Sequence, residues 1–294
     1  MFRWPVAWVT VALLAVLPTG CGATPLSGPG TSVVAAFYPY AYVAHRVAGS
    51  HATVVNLTAP GAEPHDLELT PQQVAEVAEA DVVVYERGFQ PAVDDAVGEN
   101  AQGDVVEVTH AVSPSSDPAP AIRDPHLWQD PTKLVPVAQT LARTLARTDP
   151  RHAADYRSNA ADLVGDLRAL DREFRRGLAH CARHTFVTSH AAFAHLAARY
   201  GLRMVPIAGI SPNIEPSPER LAQLKSLVET EQVTTIFTET LSSPAIARTL
   251  ADEVGVRTAV LDPIEGLSAQ TAGETYFSLM RANLAALRKA NDCS

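Results

Sequence analysis

Short continuous apolar runs that alternate with helical patterns constrain the fold of this 294-residue chain more than any other sequence feature. Continuous apolar runs are typical of parallel strands that helices cover on both faces. The runs occur in two sets of four, and each set predicts one α/β domain. The predicted strands are 33–37, 53–57, 81–85 and 104–108 in the first set, and 185–188, 202–207, 234–238 and 257–261 in the second.

The segment between the two sets carries a different period. Apolar residues recur there at steps of three and four, while charged residues occupy the remaining positions, as in one long amphipathic helix. At 1.5 Å per residue, a helix of about 27 residues is roughly 40 Å long, so we interpret it as a rod that joins two domains. A surface helix within one domain is the alternative. The apolar positions are Ala153, Tyr156, Ala160, Leu163, Leu167, Leu170, Phe174 and Leu178.

The N-terminus has the layout of an export signal. Arg3 precedes an apolar run that is too short to span a bilayer comfortably, and small residues then lead to Cys21. A cysteine at this position resembles the lipid attachment site of bacterial lipoproteins, although Pro18 stands where that pattern prefers leucine. The alternative is a signal that is uncleaved or conventionally cleaved, with an incidental cysteine.

These patterns divide the chain into five parts. The division consists of a lipoprotein signal peptide at 1–21, a flexible tether at 22–32, an N-terminal α/β lobe at 33–150, the linking helix at 151–180 and a C-terminal α/β lobe at 181–294. Export places the protein at the outer face of the cell membrane or in the periplasm, where a disulfide is stable. Cys181 and Cys293 can form one there, and two buried free thiols are the alternative.

The overall charge excludes one class of partner. The formal net charge is −9 and the isoelectric point is near 5.5. Nucleic-acid binding draws its affinity from clustered lysine and arginine, so we expect no nucleic-acid partner. The hydrophobic content of 47% is typical of a globular protein with a core.

Metal-ligating residues follow several of the predicted strands. Ligands of open α/β sheets gather at the carboxyl ends of strands, and His126 lies in a loop stiffened by Pro125 and Pro131. Three imidazoles and a carboxylate match the donors that Zn²⁺ prefers. The candidate residues are His65, His126, His190, Glu239 and Asp262.

Six phrases identify a resemblance that covers residues 33 to 294. The phrases are GAEPHDLELTP, DPHLWQDP, TSHAAFAHLAARYGL, SPNIEPSPERL, IFTET and VLDPIEG, in that order. The chain resembles the zinc and manganese solute-binding lipoproteins of bacterial ABC transporters, the ZnuA/TroA-like family. This resemblance implies two α/β lobes joined by one long helix, with the metal in the interlobe cleft. It also implies His65, His126, His190 and Asp262 as ligands, with Glu239 orienting the site or serving as an alternative fourth ligand.

The donor set bears on the metal. Manganese-directed relatives often carry a carboxylate where this chain has His190, and more imidazole favours zinc. We therefore expect Zn²⁺ as bound cargo, with Mn²⁺ less favoured, and a monomer that delivers the metal to a membrane permease, with a metallochaperone as a further possible partner. The histidine-rich loop of many zinc members is missing, since the corresponding interval ends in SPSSDPAPAIR.

Two other functions compete with a metal carrier. A secreted zinc hydrolase would keep an open metal position and a free carboxylate as base, but the chain has neither an HExxH helix nor a GxSxG elbow. A cell-surface adhesin could share the same fold and export signal. We therefore expect a substrate-binding component of a transporter and no catalytic residues.

The remaining histidines lack a partner motif. We interpret them as surface or turn residues, and His195 as a packing residue or an outer neighbour of the site, because it follows His190 by five positions on a predicted helix. The residues concerned are His45, His51, His152, His180 and His184.

Overall fold

Two parallel four-stranded sheets form the framework of the computed structural model, which describes residues 1, 30–113 and 124–294. The strand orders are β2-β1-β3-β4 and β6-β5-β7-β8, so both sheets have the same topology. This confirms the predicted α/β fold with two lobes. The strands are β1 Thr31–Ala35, β2 Ala52–Asn56, β3 Val82–Tyr85, β4 Asp104–Glu107, β5 Thr185–Thr188, β6 Arg203–Pro206, β7 Thr235–Thr238 and β8 Arg257–Val260.

Helices connect the strands and cover the sheets. Ten α-helices occur in the described residues, and 3-10 turns lie at Leu127–Gln129 and Pro150–His152. The helices are α1 Tyr38–Ala48, α2 Pro71–Glu79, α3 Pro91–Asn100, α4 Val108–Val112, α5 Leu134–Thr148, α6 Ala153–Gly177, α7 Ala194–Tyr200, α8 Pro218–Thr230, α9 Ala245–Val254 and α10 Tyr276–Asn291.

Helix α6 is the long helix that the sequence predicts, with 25 residues. Its buried positions form the predicted apolar stripe and include Tyr156, Leu163, Leu170 and Phe174. The stripe packs against α1 and α5 of the first lobe and against α10 of the second. The linking helix is therefore part of the core of both lobes.

A single apolar cluster spans the two lobes. It contains Val34 of the first sheet, Leu167 of α6, Phe186 of the second sheet and Leu287 of α10. A smaller cluster beneath the outer face of the second sheet contains Val187, Ile236, Leu224 and Leu250, among others. The lobes are therefore packed together in addition to being connected.

A disulfide joins Cys181 to Cys293. Of the two predicted alternatives, a disulfide and two buried free thiols, the structure therefore has the disulfide. The bridge ties the end of α10 to the segment that precedes β5. It therefore lies at the amino-terminal end of the second sheet and closes a loop of 112 residues.

Several predictions fall outside the described residues. They are the predicted signal peptide 1–21 apart from Met1, with Cys21, residues 22–29 of the tether, and most of the SPSSDPAPAIR segment. Strand β1 already begins at Thr31, so the last two positions of the predicted tether belong to the first sheet. In the part of the chain that the structure describes, no helix is both long and apolar enough to cross a membrane.

Candidate metal centre

The loop that carries His126 is held in shape by hydrogen bonds between its own residues. The Asp124 carboxylate accepts hydrogen bonds from the His126 backbone N–H at 3.0 Å and from its Nδ1 at 2.5 Å. The 3-10 turn Leu127–Gln129 follows directly. With Nδ1 committed to Asp124, the Nε2 atom of the fully buried His126 is the one that faces the cleft.

His190 is held in the same way from the second lobe. It follows the carboxyl end of β5, and Glu239 follows β7, the neighbouring strand. Glu239 Oε1 lies 2.7 Å from His190 Nδ1 and 3.1 Å from the His190 backbone nitrogen, which donates to it. Glu239 therefore contacts both the ring and the backbone of His190.

His65 lies in the loop between β2 and α2. Its backbone N–H donates to Glu63 at 3.1 Å, and its ring meets Phe89 edge-on with centroids 4.6 Å apart. The loop contacts the second lobe through the Gly61 N–H, which donates to the Leu267 carbonyl at 2.7 Å. His65 thus reaches the cleft from the first lobe.

Glu265, and not Asp262, is the carboxylate that meets these imidazoles. Its Oε1 atom lies 3.4 Å from His65 Nε2, 3.1 Å from His126 Nε2 and 3.3 Å from His190 Nε2. One ligand atom from each of the four residues lies within 4.8 Å of every other. Glu265 is not among the candidate ligands predicted from the sequence.

Asp262 faces away because its carboxylate closes a turn. Its Oδ1 accepts the Ile264 N–H at 2.7 Å, and its Oδ2 accepts the Thr240 hydroxyl at 3.0 Å. The Asn283 side chain bonds both the backbone N–H and the carbonyl of Asp262. Ile264 then adopts a positive φ of 59°, which redirects the chain so that Glu265 enters the cleft. The Asp262 carboxylate is therefore bonded to Ile264 and Thr240, and the prediction that it is a ligand is not supported by its hydrogen bonds.

The spacing of the four residues suits a tetrahedral ion. Zn²⁺ binds nitrogen and oxygen at roughly 2.0–2.2 Å, so two ligand atoms at the tetrahedral angle lie about 3.4 Å apart. The three measured separations between Oε1 and the imidazole nitrogens are 3.1 to 3.4 Å. His126 Nε2 is also a buried atom without a hydrogen bond of good geometry. The donor set of three imidazoles and one carboxylate can hold such a metal.

The charges of the site depend strongly on one another. Burial opposes charge on Glu265, but hydrogen bonds from the imidazoles hold its pKa well below its usual range. Burial likewise disfavours the cation of His190, yet Glu239 and Glu265 raise its pKa to about 10. Burial also opposes the cation of His126, and Asp124 and Glu265 raise the pKa of that ring. Burial and the nearby charge of Glu265 raise the pKa of Glu63 to about 7. The site thus favours positive charge at its centre.

Hydrogen bonds across the cleft fix the His126 loop to the second lobe. The Trp128 indole donates to the Pro263 carbonyl at 2.7 Å, Gln129 donates to the same oxygen, and the Tyr276 hydroxyl donates to the Trp128 carbonyl at 2.6 Å. His195 Nε2 lies 2.9 Å from the Asp124 carbonyl, which can only accept. His195 is thus an outer neighbour of the site, as interpreted from the sequence.

Comparisons with known proteins agree on one family. The chain matches the family described as zinc-uptake complex component A, periplasmic, over residues 33–290. It is 32% identical to the zinc-binding lipoprotein AdcA of Streptococcus pneumoniae, over 98% of this chain and 61% of AdcA. It is 31% identical to the high-affinity zinc uptake system protein ZnuA of Bacillus subtilis, over 97% of both chains. The chain thus spans about three fifths of the length of AdcA.

Solved structures show the same architecture. The Zn(II)-bound ZnuA-like domain of S. pneumoniae AdcA superposes with a TM-score of 0.77 at 34% identity, covering 90% of this chain and 99% of that domain. The laminin-binding protein Lmb of Streptococcus agalactiae, described as a bifunctional protein with adhesin and metal transporting activity, gives a TM-score of 0.80 at 32% identity. That alignment covers 89% of this chain and 99% of Lmb.

Proposed function

Because the chain belongs to the family of periplasmic zinc-uptake components, we propose that it captures Zn²⁺ outside the cytoplasm and delivers it to the permease of an ABC transporter. The observation that carries this proposal is the convergence of three imidazole Nε2 atoms on one carboxylate oxygen in a buried interlobe site. His65, His126, His190 and Glu265 are the proposed ligands.

Four protein donors favour carriage over hydrolysis. A catalytic zinc site keeps one coordination position for water or substrate, whereas four side-chain donors complete a tetrahedral shell. Two of the carboxylates adjacent to the ligands, Asp124 and Glu239, are already engaged with imidazole Nδ1 atoms. With the four proposed ligands in place, no coordination position is left open for a water that a general base could activate.

The chemistry of the donors favours zinc over manganese. Mn²⁺ prefers carboxylate, carbonyl and water oxygens, and Zn²⁺ accepts imidazole nitrogen readily. Three of the four proposed donor atoms are imidazole nitrogens.

The test is metal analysis of the protein purified after export. The protein is stripped of metal, offered equal Zn²⁺ and Mn²⁺, and examined by native mass spectrometry beside His126→Ala and the exposed control His184→Ala. We expect one tightly held zinc in the wild type and in His184→Ala, and at least about 100-fold weaker binding in His126→Ala, since a ligand is lost. Equal zinc retention in His126→Ala, or a preference for manganese, would overturn the ligand assignment.

Delivery to a permease needs a test in cells. A strain that lacks the protein should grow poorly only when zinc is limiting, and the wild-type gene, but not the His126→Ala gene, should restore growth. Restoration by His126→Ala would show that the proposed site does not serve uptake.

We propose that a lipid on Cys21 anchors the protein at the outer face of the cell membrane. AdcA of S. pneumoniae is named a lipoprotein, and the export signal of this chain ends at a cysteine. Incorporation of labelled palmitate that is lost in Cys21→Ser would support acylation, and a labelled Cys21→Ser protein would contradict it.

A further inference from the structure

Among the four proposed ligands, His65 lies nearest to solvent. Its side chain is 6% exposed, whereas the side chains of His126 and His190 are fully buried and that of Glu265 is 1% exposed. On the buried side of the cleft, hydrogen bonds and the shared apolar core hold the two lobes together. The path of least rearrangement between the metal centre and solvent therefore passes the loop that carries His65.

This His65 loop, residues 57–70 between β2 and α2, is bound to the second lobe on both sides of its ligand. On one side, the Gly61 N–H donates to a backbone carbonyl of the second lobe at 2.7 Å. On the other side, the carboxylate of Asp66 accepts a hydrogen bond from the side-chain amide of Asn213 at 2.5 Å. Asp66 directly follows His65, so this second bond acts next to the ligand.

Asn213 lies in the segment between β6 and α8, which is itself fixed beside a ligand. Two backbone hydrogen bonds join the start of this segment to the two neighbours of His190. They run from the Ala208 N–H to the Ser189 carbonyl at 2.8 Å and from the Ala191 N–H to the Gly209 carbonyl at 2.9 Å. The bond between Asn213 and Asp66 thus connects the surroundings of a second-lobe ligand to those of a first-lobe ligand.

We propose that Asn213 is a latch, whose hydrogen bond to Asp66 holds the His65 loop over the metal centre and sets the rates at which zinc enters and leaves. This inference rests on the proposed function, because it concerns the same site. Both side chains are exposed, so the bond can break without any change in the core. Zinc exchange then requires local opening of one loop and no separation of the lobes.

Loss of the latch should change rates more than affinity. In residues 30–113 and 124–294, the Asp66 carboxylate has no other hydrogen bond or ion pair, so without the Asn213 amide it is bound by water alone. The closed position of the loop then loses one hydrogen bond, and the loop opens more often. All four ligands are retained, and the loop covers the path in both directions. Entry and release of zinc should therefore accelerate together.

Zinc transfer from the intact exported protein to an excess of chromophoric chelator, followed by stopped flow, measures the release rate. Equilibrium competition with the same chelator measures the dissociation constant. We expect zinc release at least about threefold faster in Asn213→Ala than in the wild type, with the dissociation constant within about twofold. The matched control is Glu215→Gln, two positions further in the same exposed segment, which should release zinc at the wild-type rate.

An exchanged pair separates the latch from other effects of the substitution. Asp66→Asn combined with Asn213→Asp keeps one amide and one carboxylate facing each other, so it should restore slow release. Asn213→Asp alone places two carboxylates together and should release zinc faster than Asn213→Ala.

Three results would overturn the latch in a wild type that binds zinc. They are equal release rates in the wild type and Asn213→Ala, fast release that persists in the exchanged pair, and an affinity that falls in proportion to the faster release. A wild type that binds no zinc would overturn the proposed function together with this inference.

Discussion

At the residue scale, substitution of Glu265 and of Asp262 shows which of the two carboxylates is the fourth metal ligand. Glu265→Gln removes the negative donor that three imidazoles share, so we expect zinc affinity to fall at least about 100-fold. Asp262→Asn keeps an oxygen that can accept the Ile264 N–H, so its zinc affinity should stay close to that of the wild type. Chelator competition measures both variants. The reverse order of effects would restore Asp262 as the ligand.

Zinc binding should release protons at neutral pH. The pKa of His190 is raised to about 10, so in the metal-free protein this imidazole carries a proton at pH 7.5. Zinc binds only the neutral ring, so we expect about one proton to leave His190 per ion and the affinity to rise with pH through this range. Calorimetry in buffers of different ionisation enthalpy counts these protons. A heat of binding that is independent of the buffer would contradict the expectation.

Residue identities in the centre were only partly predictable. His65, His126 and His190 stand in stiff loops at strand ends, and the sequence patterns sufficed to choose them. Glu265 was missed because its position depends on the positive φ of Ile264. A β-branched residue seldom adopts this conformation, and only tertiary contacts impose it. The one available signal was that Glu265 follows the same strand as Asp262.

At the scale of elements, the connection between α3 and β4 requires a glycine. A Cβ on Gly103 would lie far inside van der Waals contact with the Ala80 and Asp81 backbone, which cannot rotate away. Gly103→Ala should therefore lower the free energy of unfolding by about 3 kcal/mol. Gly98→Ala is the matched control, since its exposed position in α3 has free space and alanine favours a helix by about 0.5–1 kcal/mol. Equal stability of the two variants in urea denaturation would refute this.

The disulfide should stabilise the second lobe without tuning the metal centre. Closing a loop of 112 residues constrains the unfolded chain by roughly 4 to 5 kcal/mol in the entropy model. We expect the double variant Cys181→Ser, Cys293→Ser to melt at a clearly lower temperature and to bind zinc as tightly as the wild type. Calorimetric melting and chelator competition provide the two readouts. A large loss of affinity in the folded double variant would show that the two ends of the lobe are coupled.

Element types were predictable where the apolar pattern was strong. Strand β5 has the predicted bounds, β3, β4, β7 and β8 differ from the prediction by one residue at one end, and β2 and β6 differ by one residue at each end. Helix α6 is shorter than predicted because Pro150 begins a separate 3-10 turn and the helix ends at Gly177. The short helix α4 carries no such pattern, and Glu107 caps it by accepting two backbone N–H groups.

For the whole molecule, the shared core limits how far the lobes can move. The apolar cluster that runs from the first sheet through α6 to the second sheet must stay packed in any stable state. We therefore expect zinc to change the radius of gyration, about 19 Å for a chain of this size, by less than about 0.5 Å in small-angle X-ray scattering. A larger change would show that the lobes separate and that the cluster is not continuous in solution.

The division of the ligands between the lobes links zinc supply to the survival of the protein. Two proposed ligands belong to each lobe, so the metal holds both halves together, and free zinc at a hundred times the dissociation constant stabilises the fold by about 2.7 kcal/mol. Extracytoplasmic proteases degrade chains in proportion to how often they open. Protein molecules without bound zinc are then degraded first, so the steady-state amount of the protein rises and falls with the zinc concentration outside the cell.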